Sequence, residues 1–338
     1  MSGIPVFLAS DDKYAPFVAT TMASILSNTK SFINFYILDD NITDKNKRKI
    51  KKISRIFKNF SIEYIQVDTE RHFESLPSLP YISKSMYSRI MIPILKPDLG
   101  KIIYSDIDVA FTDDIKKLYE TDIENHTIGA VPMYRKSKTE VAAAVRLDIN
   151  IDHLFMSGLL IIDIKKWNDN NDTKKILKLA KVLAQDKKLL LPDQDTLNKF
   201  FDGDFFRIDN TWCVIHKNLQ ISVLDPEEIK GIVDNQKIAH FAGGDRYKPW
   251  NNKGIEGSEY FWKYVPYTAF KRDIERINRE FNKPVKPVRP KHYRRKYLNM
   301  IIKLIVSKRK YRKLKRDPAL FFGDSKNAFI KFLGRLYL

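Results

Sequence analysis

Cysteine is almost missing from this 338-residue chain, which has only Cys213. A single thiol can close no internal disulfide and supply no cysteine-cluster zinc site. The fold must therefore rest on its core, and Cys213 is best read as a small buried apolar group. Long apolar runs are missing too, since none approaches the ~20 residues of a membrane-spanning helix. Met1-Ser-Gly-Ile-Pro5 has neither a basic start nor an extended apolar stretch, so we expect no export leader and a cytoplasmic location. Repeats and low-complexity linkers are absent before Pro284, Pro287 and Pro290. Acidic residues run out in one place only. From Lys283 to Leu338 there are 18 Lys/Arg but two Asp/Glu, whereas the other 282 residues hold 42 against 39. The net charge of +19 thus belongs to the tail, and the body is electrostatically ordinary.

Hydrophobic residues make up 43% of the chain and aromatics 12%, enough for a substantial core and too much for global disorder. The length suits one large α/β domain with an appendage, or two modest domains. Residues 4–9 are β-prone and end at Ser10-Asp11-Asp12; Phe17, Val18, Thr21, Met22, Ile25 and Leu26 then recur at helical spacing. Residues 32–38 read as a second strand, and Thr43 suits the N-cap of a helix carrying Ile50, Ile53 and Ile56-Phe57. Residues 61–67 read as a third strand, 85–92 as a helix stopped by Pro93, and 101–104 as a fourth strand. This alternation predicts a mainly parallel sheet covered on both faces, with ligands gathering at the carboxyl ends of its strands. After Asp113 the alternation loosens: 127–131 and 157–164 read as strands, 173–187 and 193–201 as helices.

The most informative stretch is Lys101-Ile-Ile-Tyr-Ser-Asp-Ile-Asp-Val-Ala-Phe111. In an extended segment residues i and i+2 share a face, so Asp106 and Asp108 converge while Ile107 turns into the core. Two such carboxylates repel each other unless a cation lies between them, and hard divalent ions suit oxygen ligands. By itself, Asp-x-Asp also recurs in turns and solvated loops. A second stretch, His240-Phe-Ala-Gly-Gly-Asp-Arg-Tyr-Lys-Pro-Trp250, follows the strand-like residues 237–239. It offers an imidazole for a metal, glycines for close approach of an anion, and Lys248 for phosphate charge. Separately, His240 reads as a satisfied core histidine and residues 248–250 as a surface turn. With Asp106 and Asp108 they describe a site for a metal-bound diphosphate.

These two motifs, in this order, resemble glycosyltransferase family 8, which includes retaining bacterial enzymes that build lipopolysaccharide and related surface glycans. Ala9-Ser-Asp-Asp-Lys-Tyr14, Tyr87-Ser-Arg89, Phe155-Met-Ser-Gly-Leu-Leu-Ile-Ile-Asp163 with Lys165-Lys-Trp167, and Pro192-Asp-Gln-Asp195 agree with it. The resemblance covers residues 4–250. It implies an α/β fold, a GT-A-like Rossmann-type mixed sheet with helices on both faces, to which this chain adds a basic helical C-terminal tail. It also implies that Ala9, Asp11 and Tyr14 hold a uridine, that Ser10 and Asp106 belong to the nucleotide-sugar site, and that Asp106, Asp108 and His240 bind Mn²⁺, although Mg²⁺ accepts the same ligand types. Ile107, Ser157, Gly158, Gly243, Gly244 and Lys248 would line the nucleotide-sugar, and Arg89, Asp193 and Gln194 would serve the transferred sugar. Taken without the resemblance, Asp11 or Asp12 reads as a helix cap, Arg89 as half of a surface ion pair, and Asp193 as an N-cap after Pro192. Three departures stand out. Met156 occupies the place of an asparagine that touches the donor sugar, and Lys13 that of another asparagine. The spacing from His240 to Lys248 is longer than usual, which leaves both Gly243 and Gly244 open as the phosphate-facing glycine.

We expect a catalytic domain over residues 1–265, with a nucleotide-sugar half at 1–113 and an acceptor half at 114–265. A connecting helix and Pro-rich spacer follow at 266–290, then a basic amphipathic tail at 291–338. In the tail, residues 294–310 flank an apolar centre with charge, and Ala328, Phe329, Phe332, Leu333 and Leu336 continue an apolar stripe. Helices of this kind lie in the interface of anionic membranes. A nucleic-acid patch and a packed helical pair are the competing readings, and we expect no nucleic-acid partner. The expected function is metal-dependent, retaining transfer of galactose or glucose from a UDP-hexose to a lipid-linked bacterial surface glycan. The protein would sit peripherally on the inner face of the plasma membrane. The alternative, suggested by Met156, is a catalytically weak UDP-sugar-binding scaffold of a membrane glycan-assembly complex.

Overall fold

The computed structural model describes residues 3–69, 73, 74, 76, 84–133, 138–219 and 224–283. The chain divides into two compact units, Met1–Asn282 and Lys283–Leu338, and the first is described here. The expected Pro-rich spacer from Pro284 onward and the basic tail lie outside the described residues. Among the described residues, no helix is long and apolar enough to cross a membrane.

Seven strands form one sheet in the order β3-β2-β1-β4-β7-β6-β8. They are β1 (Ile4–Asp11), β2 (Ile33–Asp40), β3 (Phe60–Gln66), β4 (Lys101–Ser105), β6 (Ile128–Pro132), β7 (Phe155–Asp163) and β8 (Phe206–Arg207). The remaining strands, β5 (Val109–Phe111) and β9 (Ile238–His240), pair antiparallel as a small second sheet. The expected parallel sheet holds for β3, β2, β1 and β4, but β7 runs antiparallel to both β4 and β6, so the sheet is mixed. From β1 the chain builds outward through β2 and β3, then returns to lay β4 on the other side of β1. That reversal opens a crevice at the carboxyl ends of β1 and β4, where ligands of such sheets bind.

The period-two alternation of strands sends neighbouring residues to opposite faces. Val6, Leu8, Ile103 and Ile161 join one apolar cluster, while Phe7, Ile102, Tyr104 and Ile162 join the other. Helices α1 (Ala15–Asn28) and α2 (Asp44–Lys51) and the small sheet cover the first face. Helices α3 (Ser88–Leu95), α5 (Asp172–Gln185) and α6 (Pro192–Phe201) cover the second; α4 (Lys138–Leu147) lies at its rim. Two expected helix ends move. Pro93 does not stop α3, because the ring removes one amide late in a short helix, and Lys96 N still closes the end on Ile92 O at 3.0 Å. α2 tightens into a 3₁₀ turn at Lys52–Arg55, which buries Ile53 and leaves Ile56 exposed.

α1 is buried from Ala15 to Leu26 because it lies between the two sheets, and a helix so placed must be apolar nearly all round. Of its polar residues, Thr20 and Ser27 bond back to Pro16 O and Ala23 O, while Thr21, Ser24 and Asn28 fall at i, i+3 and i+7 and grip one strand. Thr21 Oγ1 lies 3.0 and 3.2 Å from the carbonyl oxygens of Ile107 and Val109. Ser24 Oγ accepts from Phe111 N at 3.0 Å, and Asn28 Nδ2 donates to Phe111 O at 2.9 Å and to the Tyr264 hydroxyl at 2.9 Å. This stripe supplies the edge of β5 with the partners that a neighbouring strand would otherwise give. The double substitution Thr21→Val, Ser24→Ala should therefore lower unfolding stability by ~1–3 kcal/mol for each group left unpaired. Urea denaturation reads the loss; an unchanged midpoint would mean that the stripe contributes no stability.

Candidate functional site

Asp106 and Asp108 lie in the three-residue link between β4 and β5, and each is tied to a different sheet. Asp106 N donates to Gly158 O of β7 at 2.7 Å, while Asp108 O accepts from Phe241 N just beyond β9 at 2.8 Å. The link is a bend rather than a strand, so the carboxylates converge through this double anchoring and not through strand alternation. His240 ends β9 opposite Val109 and is only 4% exposed. The ligand atoms of Asp106, Asp108 and His240 lie within 4.8 Å of one another, a cluster able to hold a divalent ion. Gly158 lies against it: a Cβ there would come 2.6 Å from Asp106 Oδ2 and 2.7 Å from His240 Cε1.

Charge around the cluster is compensated on both sides. His240 Nε2 lies 3.3 Å from Asp108 Oδ1, and Lys248 Nζ pairs with Asp108 Oδ2 while donating to Phe241 O at 3.0 Å. Burial pushes the Asp108 carboxyl up, but Lys248 and His240 outweigh it and hold the group well below the ordinary carboxylate range. Burial likewise works against a charged His240, and the adjacent Asp108 and Cys213 raise its pKa well above the usual value. Cys213 is buried as expected but is not a mere apolar filler: its Sγ lies 3.2 Å from His240 Nδ1 and orients the ring. That contact spans a sequence separation invisible to local pattern.

On the other side stands Arg89, 6% exposed and so not the surface ion pair that helix position alone suggested. Its Nη2 reaches Asp106 Oδ1 at 2.9 Å and Asp193 Oδ2 at 3.2 Å, Nε donates to Met86 O at 3.1 Å, and Nη1 donates to Ser157 O. The guanidinium lies 4.4 Å from the ring centre of Tyr104, whose hydroxyl donates to Asp106 Oδ1 at 2.9 Å. Desolvation opposes the Arg89 charge, yet Asp106, Tyr104 and Asp193 more than offset it, and the side chain stays ionised. Burial raises the Asp193 carboxyl, with Arg89 pulling the other way. Asp193 is not an N-cap; Leu191 holds that position, and Asp193 turns toward Arg89.

Gln194 reaches the same place through a distortion of β7. β6 steps from a partner at Leu160 to one at Met156, so residues 157–159 bulge out of its ladder. The bulge presents Ser157 N to Gln194 Oε1 at 3.4 Å and Ser157 O to Arg89. Asn198, one turn beyond Gln194, fixes α6 to β7 by accepting from Phe155 N at 2.7 Å and donating to Phe155 O at 3.0 Å. Neither Asn198 nor Tyr104 was singled out from sequence. Tyr104 could have been, because it stands two residues before Asp106 on the same strand face. Met156 itself is buried opposite Val131 in the apolar cluster shared with α1.

The first loop closes the crevice from β1. Asp11 Oδ1 accepts from Tyr14 N at 3.0 Å, and Ser10 Oγ donates to Asp11 O at 2.8 Å. Ala9 lies beside Leu38, and the pairing with β2 runs on to Asp11 opposite Asp40. Asp12 does not cap α1 but binds Thr43 N and Oγ1, each at 2.8 Å, at the start of α2. Burial, with the charges of Asp245, Asp11 and Asp108, raises the pKa of the Tyr14 hydroxyl. Its ring meets Trp250 edge-on at 6.2 Å, and Trp250 stacks on Phe17 at 3.7 Å. In the longer loop, Gly243 adopts φ +112°, open only to glycine, whereas Gly244 has φ −70°. Ile107 is half-buried against the α1 cluster. Since Arg89 neutralises the buried Asp193 and the partly exposed Asp106, Arg89→Leu should cost ~3–5 kcal/mol of stability by leaving Asp193 unpaired. Denaturant titration tests this, and a parental midpoint would show that Asp106 and Asp193 find other cations.

Residues 5–254 match the sequence profile of the family described as Glycosyl transferase family 8. General stress protein A of Bacillus subtilis is 29% identical over 276 residues, covering 77% of this chain and 92% of that protein. The lipopolysaccharide 1,2-glucosyltransferase of Escherichia coli K12 is 27% identical over 306 residues, 86% of each chain. Among solved structures, the galactosyltransferase LgtC in complex with donor and acceptor sugar analogues superposes with TM-score 0.67 at 24% identity. That match covers 79% of this chain and 96% of LgtC. The bifunctional glycosyltransferase WbbM superposes with TM-score 0.68 at 20% identity, over 82% of this chain and 52% of that one. These likenesses show a GT-A fold, and the profile match across most of its length makes the chain a member of glycosyl transferase family 8.

Proposed function

We propose that the chain is a metal-dependent, retaining hexosyltransferase that moves galactose or glucose from a UDP-hexose to a lipid-linked bacterial surface glycan such as lipopolysaccharide. One observation carries the reading: the three-ligand cluster has Lys248 on one side and the Arg89–Asp193 pair on the other. A diphosphate would find cations on the first side, and sugar hydroxyls would find donors and acceptors on the second. The named lipopolysaccharide glucosyl- and galactosyltransferases among its relatives support the substrate class.

In this reading Asp106, Asp108 and His240 hold Mn²⁺, or Mg²⁺ in its place, whose charge offsets what builds on the departing diphosphate. Two carboxylates and an imidazole suit such an ion, and the missing Cβ of Gly158 leaves room beside them. Ala9, Asp11 and Tyr14 hold the uridine, and Ser10 belongs to the nucleotide-sugar site. Ile107, Ser157, Gly158, Gly243 and Gly244 line the nucleotide-sugar, and Lys248 neutralises phosphate. Arg89 and Asp193 orient the transferred sugar. The Gln194 amide is neutral and delocalised, too weak to act as a nucleophile. Its carbonyl dipole instead stabilises positive charge growing at the anomeric carbon. The acceptor hydroxyl enters on the face that UDP leaves, and its proton passes to the leaving phosphate oxygen, which retains configuration. The division into a nucleotide half at 1–113, an acceptor half at 114–265, a spacer at 266–290 and a membrane-docking tail at 291–338 belongs to the same proposal.

The first experiment is hydrolysis of UDP-galactose and UDP-glucose with Mn²⁺. Slow release of hexose supports the enzyme, whereas UDP binding without hydrolysis or transfer would favour the scaffold reading that the apolar Met156 suggests. Gly158→Ala should push Asp106 and His240 apart and reduce turnover at least ~100-fold, as should Asp108→Ala, because charge stabilisation at the leaving group is lost. Mn²⁺ titration calorimetry on the folded variants is the check, and parental affinity in both would remove the metal assignment. Met156→Asn should alter the ratio of UDP-galactose to UDP-glucose use by ~1–3 kcal/mol if the amide meets the sugar. Competition kinetics with both donors measures it, and an unchanged ratio would place residue 156 outside the sugar site.

A further inference from the structure

α4 buries a carboxylate and leaves aliphatic side chains exposed. Glu140 is 3% exposed, with Ala144 and Leu147 also buried, while Val141, Ala142 and Val145 face outward and Val145 is 77% exposed. A surface helix ordinarily does the reverse. The loop after α5 repeats the pattern, with Leu190 60% exposed and Leu191 exposed beside it. Two hydrogen bonds bring these parts together: Arg146 Nε donates to Lys188 O at 2.7 Å, and Lys188 N donates to Leu183 O at 2.8 Å. The ends of α4 and α5 and the loop therefore meet, and Val182 on the last turn of α5 is exposed as well. Half of the large apolar side chains exposed among the described residues fall on these three elements. Single exposed apolar residues are ordinary, but a cluster of them marks a contact surface.

Charge indicates what the surface meets. Lys174, Lys175, Lys178 and Lys181 are exposed on α5, the first, third and fourth of them within about 60° of helix arc. Lys187 continues the run, and between residues 171 and 191 the one exposed acid is Asp186. A row of lysines ending in an aliphatic tip matches an anionic bilayer, in which headgroups meet the charge and the tip enters the acyl boundary. A nucleic acid would use the lysines but gain little from the aliphatic tip. The surface is also tied to the site: Leu191 is the N-cap of α6, and Asp195 accepts from Leu190 N, Leu191 N and Arg146 Nη2 at 2.7, 2.9 and 2.8 Å. Asp193 and Gln194 lie in the same first turn.

We propose that α4, α5 and the 186–191 loop form a bilayer-docking face of the catalytic domain itself, which sets the acceptor side of the site against an anionic membrane. The proposal rests on the reading that the acceptor is lipid-linked. In the full chain, Leu190→Cys carrying an environment-sensitive fluorophore should shift to the blue with vesicles of phosphatidylglycerol and phosphatidylcholine. A label at Lys52→Cys on α2's 3₁₀ extension should not shift; Cys213 is buried and leaves the labelling specific. The triple variant Val141→Ser, Val145→Ser, Leu190→Ser should partition about tenfold less onto these vesicles at high salt, where the apolar share of binding remains. UDP-hexose hydrolysis should be unchanged in it. An unshifted label at 190 together with parental partitioning overturns the proposal. So does a shift that depends on protein concentration without vesicles, which would identify a second copy as the occupant, or salt-sensitive RNA binding with an unshifted label. If the parent chain fails to hydrolyse UDP-hexoses, the functional reading falls, while the label at 190 still decides the docking face.

Discussion

Carboxylates gathered where water is scarce need cations beside them, and here that requirement organises the whole catalytic unit. Asp106 and Asp108 come from one loop and Asp193 from a helix start, and each has its counter-charge within a few ångströms: Arg89, His240 or Lys248. Those three cations come from three further places in the chain. Arg89 requires α3 packed on one face of the large sheet, and His240 requires the small sheet on the other. Lys248 requires the loop that Trp250 pins to α1 through Phe17. Moving any one of these elements would strand a buried charge, which costs far more than the pair itself contributes. The polar cluster therefore selects one arrangement of layers that apolar packing alone leaves less sharply defined.

The second organising feature is the bulge at residues 157–159. A regular β7 would continue its ladder with β6 and keep the Ser157 backbone in the sheet. The irregular β7 spends that backbone on Gln194 and Arg89 instead. Gly158 completes the exchange, because its carbonyl holds Asp106 N while its missing side chain leaves space against Asp106 and His240. A strand thus serves two ligand systems at once, one through its backbone and one through an absence of bulk.

Much of this was legible in the chain. Strands β1 to β4 and the helices between them follow from apolar period and polar exits, since they are long enough for the pattern to repeat. Asp106, Asp108 and His240 were recognisable as ligand types in a motif order, and the structure gathers them. What was not legible depends on distance along the chain. Arg89 reads as a surface residue because its helix is short and its partners are 17 and 104 positions away. Cys213 shows nothing locally of its contact with His240. The antiparallel insertion of β7 and its bulge depend on which strand it lies beside, and its own residues favour a strand in either direction. Pro93 misled because a proline ends a helix only where the lost amide matters, and near the end of α3 it does not.

The link between β4 and β5 has a mechanical consequence. Ser105 is the last residue paired to β7 and Val109 the first paired to β9, so three residues cross from one sheet to the other. At ~3.3–3.6 Å per fully extended residue, that bridge sets a short upper limit on the distance between the two ladders. The separation of the two sheets is consequently capped by covalent length, and held below that limit by packing, at the point where the carboxylates meet. A residue inserted between 105 and 109 would have to bulge outward or slip one of the ladders. A deletion would pull Val109 away from His240. The chain can thus tolerate drift in its outer loops while the distance between its two aspartates stays limited by its own backbone.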